Sequence, residues 1–219
     1  MHTIPADLNK VPLFHGIEAD KLNAMLKCIG YHISSYKKGE NISFEEEHVK
    51  YIGIVLSGSV DMVKEDLWGN KTIIARMHAN ELFGEAFACG SSTLSIVTVT
   101  AAEKTKILFL PFQKVMHTCN MTCVFHHRLI ENMVRLIADK NQNLMRKVEI
   151  ISKKTLREKI LAYLSLQAQL HDSRYFRISL NRAELADYLC AERSALSREL
   201  SRMKEDGLID YDQNMFRIL

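Results

Sequence analysis

The chain has 219 residues, which is enough for one large domain or for two small ones with separate cores. Hydrophobic residues make up 47% and charged residues 25%, a balance that excludes an intrinsically disordered chain. The formal charge of +3 neither requires nor opposes a nucleic-acid partner. No apolar run is long enough for a membrane span and no export leader opens the chain, so we expect no membrane association. Five cysteines, an odd number, favour a reducing cytoplasm over a secreted disulfide framework.

Glycine and proline divide the chain into a turn-rich front half and a helical back half. Eight of the nine glycines lie in the first 90 residues, and neither residue type occurs from Phe112 to Asp206. In the front half, short β-branched runs alternate with turn signals such as Gly58 and Gly69-Asn70. This spacing predicts a small β-barrel or roll. The runs are YIGIVLSGSVDMV (51–63), EDLWGNKTIIARM (65–77), LSIVTVT (94–100) and KILFL (106–110).

One long helix is predicted from Val124 to Ile151, where apolar residues recur at seven-residue spacing. Its 28 residues would span about 42 Å, more than one small core needs. We therefore expect this seam to pack against the same helix of a second copy, rather than along its own barrel with lysines at the solvent edge. The seam residues are Ile130, Met133, Ile137, Leu144 and Ile151, with Lys140 and Lys147 in two of the slots.

Two short helices with a tight turn between them are predicted near the end of the chain. Asn181, with Glu184 three residues later, has the capping-box pattern for the start of the first helix. A second helix begins near Arg193, after a break at residues 190–192. Two helices joined in this way indicate a helix-turn-helix, whose second helix enters the DNA major groove. The second helix turns Leu196, Leu200 and Met203 inward and Arg193, Ser194, Ser197, Arg198, Ser201 and Arg202 outward.

The outward residues have the chemistry of a DNA-contacting surface. Arginine bridges guanine edges with two hydrogen bonds, and serine allows a helix to approach bases and phosphates closely. After Gly207, LIDYDQNMFRIL alternates apolar and polar residues and predicts a β-hairpin wing. An ordinary helical pair with a solvated basic face is the alternative. The residues predicted to bind DNA are Arg193, Ser194, Ser197, Arg198 and Arg202.

With these motifs, the chain resembles the Crp/Fnr family of bacterial transcription regulators over essentially its whole length. The resemblance rests on YIGIVLSGSVDMV, ELFGEAF (81–87), the long central helix and AELADYLCAERSALSRELSRMKEDGLI (183–209). It implies an α+β fold: an N-terminal cyclic-nucleotide-binding-like jelly roll, or double-stranded β-helix (1–118), a dimerisation helix (119–151) and a C-terminal winged helix-turn-helix (152–219).

The resemblance also implies how such a protein works. We expect a cytoplasmic homodimer without enzymatic activity that binds a two-fold symmetric site on double-stranded DNA. RNA polymerase is a further expected partner. An effector in the roll would drive a swing of the DNA-binding domains about Ser152.

In the second helix the resemblance carries over unevenly. Arg193 and Arg198 fall where family members place arginines that touch guanines or phosphates. Ser194 falls where many members have a glutamate that accepts hydrogen bonds from bases, so we expect a different half-site. Cys190 occupies a turn position where many relatives carry glycine. Either the turn is shaped differently, or the cysteine is tolerated there.

The effector pocket is where this chain departs from the cyclic-AMP-binding members. Those members place an arginine-serine pair ten residues after the glutamate of the GE phrase, and this chain has Ser95 and Ile96 there. No arginine occurs between Arg76 and Arg128, yet a cyclic phosphate needs a cation or a nest of backbone donors. We therefore do not expect cyclic AMP, and a small organic ligand is the favoured effector. The predicted pocket residues are Gly84, Glu85, Ser95 and Ile96, with Leu144 and Met145 facing them from the long helix.

Other kinds of sensor stay open. A haem sensor needs an axial ligand, and the candidates are His126, His127, His117 and Cys89. An iron–sulfur cluster would have to use Cys28, Cys119 and Cys123, but the N-terminal cysteine cluster of the family is absent. A thiol switch at Cys119 and Cys123, a regulator with no effector, and a module that acts on a protein partner without DNA are further alternatives. The sequence has no paired Cys-x-x-Cys or His-x-x-x-His metal motif and no activated nucleophile, so no resident metal and no enzyme are expected.

Overall fold

A computed structural model describes residues 6–117 and 124–219, so Cys119, Cys123 and the predicted boundary at residue 118 lie outside the described residues. The chain forms two compact units that divide after Asp139, within helix α4 (Val124–Ile151). We describe each unit separately. In the ranges described, no helix is both long enough and apolar enough to cross a membrane.

The first unit consists mainly of two antiparallel sheets. Two short 3-10 segments (Ala6–Lys10, Pro12–Phe14) and helix α1 (Ala19–Ile29) come first. The strands are β1 (His32–Tyr36), β2 (Asn41–Ser43), β3 (Tyr51–Ser57), β4 (Ser59–Glu65), β5 (Lys71–His78), β6 (Leu82–Phe83), β7 (Thr98–Ala101) and β8 (Thr105–Pro111). Two short helices follow β6 and β8: α2 (Glu85–Ala88) and α3 (Phe112–Met116). The sheet orders are β1-β8-β3-β6 and β2-β7-β4-β5, which confirms the predicted roll.

Alternation along β3 and β8 explains how the roll packs. Ile54 and Leu108 point to one face of their sheet, where they join a core built with α1 and the start of α4. Val55 and Ile107 point to the other face and pack with residues of the second sheet, such as Val99. One sheet therefore has a helical layer on one side and the roll interior on the other.

Gly58 makes the tight turn between β3 and β4 that the sequence predicts. Its φ is +81°, and a Cβ there would lie 2.5 Å from the carbonyl oxygen of Lys104. Only glycine avoids both the backbone strain and the clash.

Helix α4 carries two different apolar stripes. Leu129 and Met133 are buried in the core of the first unit, where the Asn132 amide also donates hydrogen bonds to the carbonyls of Leu13 (3.0 Å) and His15 (2.8 Å). Met133, a predicted seam residue, therefore packs inside its own unit. Of the other seam residues, Ile130, Ile137 and Ile151 are partly buried and Leu144 is exposed. The large apolar side chains that are at least half exposed on α4 are Val134, Leu144, Met145 and Val148.

The second unit is a helical core closed by a small sheet. Its elements are α5 (Leu156–Leu170), β9 (Tyr175–Arg177), α6 (Arg182–Tyr188), α7 (Arg193–Glu205), β10 (Ile209–Asp212) and β11 (Met215–Ile218). Strands β10 and β11 form the predicted hairpin, and β9 adds a third strand in the order β10-β11-β9. Phe216 of β11 and Leu164 of α5 are fully buried in this core.

Candidate nucleic-acid interface and ligand pocket

Helix α6 begins with the capping box that the sequence predicts. The Asn181 side-chain oxygen accepts hydrogen bonds from the backbone N–H groups of Ala183 (2.9 Å) and Glu184 (3.1 Å). The Glu184 carboxylate accepts in return from the Asn181 N–H at 2.7 Å. These bonds satisfy donors at the helix start that would otherwise lack partners, and they fix where α6 begins.

The turn between α6 and α7 keeps a backbone conformation that favours glycine. Cys190 has a φ of +52° in the left-handed region, and its side chain is exposed. The turn is closed by a hydrogen bond from the Ala191 N–H to the Ala186 carbonyl at 3.0 Å. Of the two alternatives for this position, the structure supports the second: the cysteine is tolerated in a glycine-type turn.

Helix α7 has one fully buried face and one exposed face. Leu196, Leu200 and Met203 have no exposed surface, as their spacing predicts. They hold the helix against the core, so its opposite face is presented to solvent. The exposed residues are Arg193, Ser194, Ser197, Arg198, Ser201 and Arg202.

The exposed side chains of α7 differ in whether they already form a hydrogen bond or an ion pair within the protein. Arg193 and Arg198 form no ion pair with any residue in the described ranges. The Ser201 hydroxyl donates to the Ser197 carbonyl at 3.1 Å, and a guanidinium nitrogen of Arg202 lies 3.8 Å from the Glu199 carboxylate. The two arginines nearest the start of α7 are therefore available to bind an anion, whereas Ser201 and Arg202 are partly engaged.

Arg157 on α5 pairs with one acidic residue of α7 and with the acidic residue that follows the helix. Its Nε donates to the Glu199 carboxylate at 2.5 Å and its Nη1 donates to the Asp206 carboxylate at 2.6 Å. These hydrogen bonds raise the pKa of Arg157, Glu199 contributing more than Asp206. The pairing limits the repulsion that the two carboxylates would exert on a polyanion. Sequence reasoning missed Arg157, because its partners lie 42 and 49 residues away.

Arg182 ties the start of α6 to the wing. Its guanidinium lies 5.0 Å from the ring centre of Tyr211 and 5.1 Å from that of Phe216, and it donates to the Gln213 carbonyl at 2.8 Å. Burial lowers the pKa of Arg182, the expected effect of removing a charged group from water. This arginine therefore supports the wing rather than adding to the exposed charge.

The roll of the first unit contains a cavity of about 190 Å³ that is partly open to solvent. Of the predicted pocket residues in this unit, Gly84 and Ser95 line the cavity, whereas Glu85 and Ile96 do not. Leu144 and Met145 belong to the second unit, and both are exposed. The full lining is Ile42, Ser43, Glu47, His48, Val49, Lys50, Tyr51, Met62, Phe83, Gly84, Phe87, Ser95, Val99 and Phe109.

Ser95 and Ile96 point in opposite directions. Ser95 is buried, and its hydroxyl donates to the Val97 carbonyl at 2.6 Å and accepts from the Val97 N–H at 3.3 Å. The Ile96 side chain is 64% exposed. The Ser95 hydroxyl is therefore already hydrogen-bonded to the backbone of Val97, and the Ile96 side chain faces solvent.

The sensor candidates among the described residues differ in burial. His126 is buried, and burial and then the neighbouring His127 lower its pKa. Cys89 is exposed as a residue, but its thiol is partly buried; this partial burial, and then the charge of Glu85, raise the pKa of the thiol and disfavour the reactive thiolate. Within the described parts of the chain, no three His, Cys, Asp or Glu side chains are grouped so as to hold a metal ion. The remaining candidates in those ranges, His117, His127 and Cys28, are exposed.

Comparisons with known proteins identify a known domain family in each of the two units. Residues 33–121 match the family described as a cyclic nucleotide-binding domain, and residues 158–219 match the Crp-like helix-turn-helix domain. The transcriptional activator protein FnrA of Stutzerimonas stutzeri is 26% identical over 189 residues, 84% of this chain and 75% of that protein. The cyclic AMP receptor protein of Thermus thermophilus is 24% identical over 198 residues, 90% of this chain and 88% of that protein.

A solved structure supports the fold. The c-di-GMP-responsive regulator CLP of Xanthomonas campestris is 14% identical to this chain and has a TM-score of 0.61. The match covers 92% of this chain and 99% of that chain. The roll precedes the helix-turn-helix and its wing, in the same order as the two family matches. Together these matches span roughly two thirds of the sequence. The chain belongs to the Crp/Fnr family of transcription regulators.

Proposed function

We propose that the protein is a homodimeric regulator that reads DNA sequence with helix α7. The observation that carries this proposal is the pair of exposed arginines, Arg193 and Arg198, on a helix whose opposite face is fully buried. A helix held in this way has a fixed orientation, so its exposed face can match the groove of a DNA duplex. Family membership is the support for RNA polymerase as a further partner and for a cytoplasmic location.

The N-terminal half of α7 is the part proposed to contact base edges. In a helix-turn-helix, the first residues of the second helix reach deepest into the major groove. Arginine side chains such as Arg193 and Arg198 can bond guanine or a phosphate, and the short side chains of Ser194 and Ser197 would allow the helix to approach the bases closely. Arg202 lies further along the helix beside Glu199, so we expect it to contribute less to DNA binding than Arg193 and Arg198.

The exposed stripe of α4 is proposed as the dimer seam. Val134, Leu144 and Val148 are exposed, and with Ile137, Asn141 and Ile151 they complete a row in which spacings of three and four residues alternate. This is the a/d pattern of a parallel two-stranded coiled coil. The row keeps Ile137, Leu144 and Ile151 of the predicted seam and replaces Met133 with Val134. Ile130, four residues before Val134, continues the same spacing. In this register Asn141 occupies an a position, where a polar residue fixes the alignment of the two helices.

The effector is proposed to be something other than a cyclic nucleotide. In the described part of the first unit, no arginine lines the roll cavity. The Ser95 hydroxyl, at the position where the family's phosphate-binding pair would begin, is bonded to Val97. A cyclic phosphate placed there would lose its hydration without gaining a matching cation.

Salt-dependent DNA binding tests the role of α7. We expect Arg193→Ala and Arg198→Ala each to weaken binding to a random-sequence duplex pool, and to reduce the slope of log affinity against log salt by about 1 for each lost phosphate contact. Arg135→Ala is the matched control, since it removes the same charge from an exposed position on α4. Fluorescence anisotropy across a salt series gives both quantities. If both α7 variants kept the wild-type affinity and slope, the DNA-reading role of α7 would be wrong.

A further inference from the structure

The walls of the roll cavity are mainly apolar and aromatic. Phe83, Phe109 and Val99 are buried, and Met62 and Phe87 add further apolar surface. Phe109 is the centre of a ring cluster: its centroid lies 6.3 Å from that of Phe83 and 6.3 Å from that of Tyr51, and both contacts are edge to face. Such rings favour edge and offset packing with a further aromatic group.

Three polar side chains of the lining already have partners in the protein. Ser95 is bonded to Val97, and the His48 Nδ1 lies 2.6 Å from the Thr93 hydroxyl. The Glu47 carboxylate accepts a hydrogen bond from the Phe44 N–H at 3.0 Å. A ligand with many polar groups would have to compete for these bonds or bury its own groups without partners.

The charges of the lining do not favour an anion. Lys50 is the lysine of the lining and is exposed, so water screens its attraction for a buried anion. Glu47 brings a negative charge to the same lining. An anionic ligand would therefore meet one screened cation and one carboxylate, which is too little to replace its hydration.

We propose that this cavity binds an uncharged, largely apolar molecule with at least one ring. The inference rests on the proposed role of the roll as the effector site, and it adds the chemical class of the effector. The cavity encloses about 190 Å³, and an apolar cavity of roughly 150 Å³ is already large enough to bind benzene. The aromatic walls bind the rings of the ligand, and the hydrogen bonds that Ser95, His48 and Glu47 make within the protein disfavour a strongly polar ligand.

A pair of matched dyes tests the proposal on the full-length protein. N-phenyl-1-naphthylamine is uncharged, and 8-anilino-1-naphthalenesulfonate has the same rings with an added sulfonate. We expect saturable fluorescence enhancement by the neutral dye at one site per chain, with at least tenfold weaker binding of the sulfonate and no displacement by cyclic AMP. Equal or tighter binding of the sulfonate, displacement by cyclic AMP, or binding of neither dye would overturn the proposal.

A pair of variants locates the dye. Val99→Phe adds a ring inside the cavity, and we expect it to weaken binding of the neutral dye at least tenfold. Ile74→Phe adds the same ring to an exposed position of β5 and should leave binding unchanged. Circular dichroism identifies a variant that does not fold, in which case the dye pair on the wild-type protein decides. Unchanged affinity in a folded Val99→Phe variant would contradict a site in the roll.

DNA binding, measured on the same preparations, separates this inference from the proposed function. Selective binding of the neutral dye without DNA binding would support the cavity assignment and contradict the role of α7. DNA binding without selective dye binding would contradict the cavity assignment and leave the role of α7 intact.

Discussion

Cys190 adopts a backbone conformation that an L-amino acid populates only at a cost. In the left-handed region the Cβ crowds the following carbonyl, which costs roughly 1–2 kcal/mol. Cys190 has a φ of +52° in the turn before α7. The family's usual glycine would remove this crowding, so the chain carries local strain next to its proposed DNA-reading helix.

Substitution of this cysteine by glycine is expected to stabilise the second unit. For Cys190→Gly we expect a gain of about 1 kcal/mol, seen as roughly fivefold slower hydrogen exchange of the α7 amides. Cys190→Ala removes the thiol but keeps the Cβ, so it should leave exchange unchanged. An equal gain in both variants would show that the thiol, and not the backbone, is the source of the effect. Exchange detected by mass spectrometry on the full chain makes the measurement.

His126 makes the stability of the first unit depend on pH. Burial, and then the neighbouring His127, hold its pKa below the value of 6.5 that is usual for histidine. The unfolded chain therefore takes up this proton at a higher pH than the folded chain does. Neutral His126 makes its full contribution to the free energy of unfolding above about pH 6.5. This contribution decreases as the pH falls from that value toward the pKa of His126 in the folded chain.

Removal of the buried imidazole is expected to flatten this dependence. Chemical denaturation followed by circular dichroism at pH 8 and at pH 5.5 should show a smaller loss of stability on acidification in His126→Gln than in the wild-type protein. His127→Gln is the control, since His127 is exposed and should leave most of the pH dependence in place. A pH dependence carried by His127 instead would contradict the assignment.

At the scale of elements, helix α4 is proposed to pair through its exposed stripe. We expect Leu144→Glu to shift the dimer to monomer at micromolar concentration, because two carboxylates would meet at one d layer of the seam. The control is Leu67→Glu, at a hairpin residue that is 97% exposed, which should leave the dimer intact. Sedimentation velocity distinguishes the two species. A monomeric wild-type protein, or a dimeric Leu144→Glu variant, would contradict the seam.

Elements whose signals are local in sequence could be predicted. The capping box of Asn181 and Glu184, and the inward row of Leu196, Leu200 and Met203, locate α6 and α7 from a few neighbouring residues. The turn residues Gly69 and Asn70 predict the hairpin of β4 and β5 in the same way. Each of these features depends on contacts within about one helical turn or one hairpin, which the sequence displays directly.

Features that depend on distant partners could not be predicted. Strand β9 has three residues and pairs with β11, almost forty residues away, so no local alternation indicates it. The periodicity of α4 shows that its apolar residues repeat, but not which stripe the first unit covers. The sequence therefore predicts Met133 in the seam, whereas the structure buries it in the core. Likewise, a spacing of ten residues from Glu85 identifies Ser95 and Ile96, but not that one is buried and the other exposed.

At the scale of the whole molecule, helix α4 contributes residues to the cores of both units. Leu129 belongs to the core of the first unit, and Ile150 belongs to that of the second. An effector can act on DNA binding only if it binds one conformation of the protein better than another. The swing expected near Ser152 would be such a change, and residues 152–155, between the end of α4 and the start of α5, are the segment that would have to move.

Two copies joined along α4 would present two α7 helices to one duplex. In dimeric helix-turn-helix proteins, the half-sites lie about one helical turn, roughly 34 Å, apart. Because each copy reads the same half-site, the preferred DNA must have two-fold symmetry. The replacement of the family's usual glutamate by Ser194 predicts a half-site that differs from the common one at the base this residue faces.

In vitro selection from a random duplex pool tests this account most directly. The purified protein is used without oxygen and without added ligand, and the enriched sequences are aligned. The account predicts a two-fold symmetric site with half-site centres about 10 base pairs apart. Enrichment of sites without that symmetry, or no enrichment either without ligand or with the neutral dye present, would contradict it.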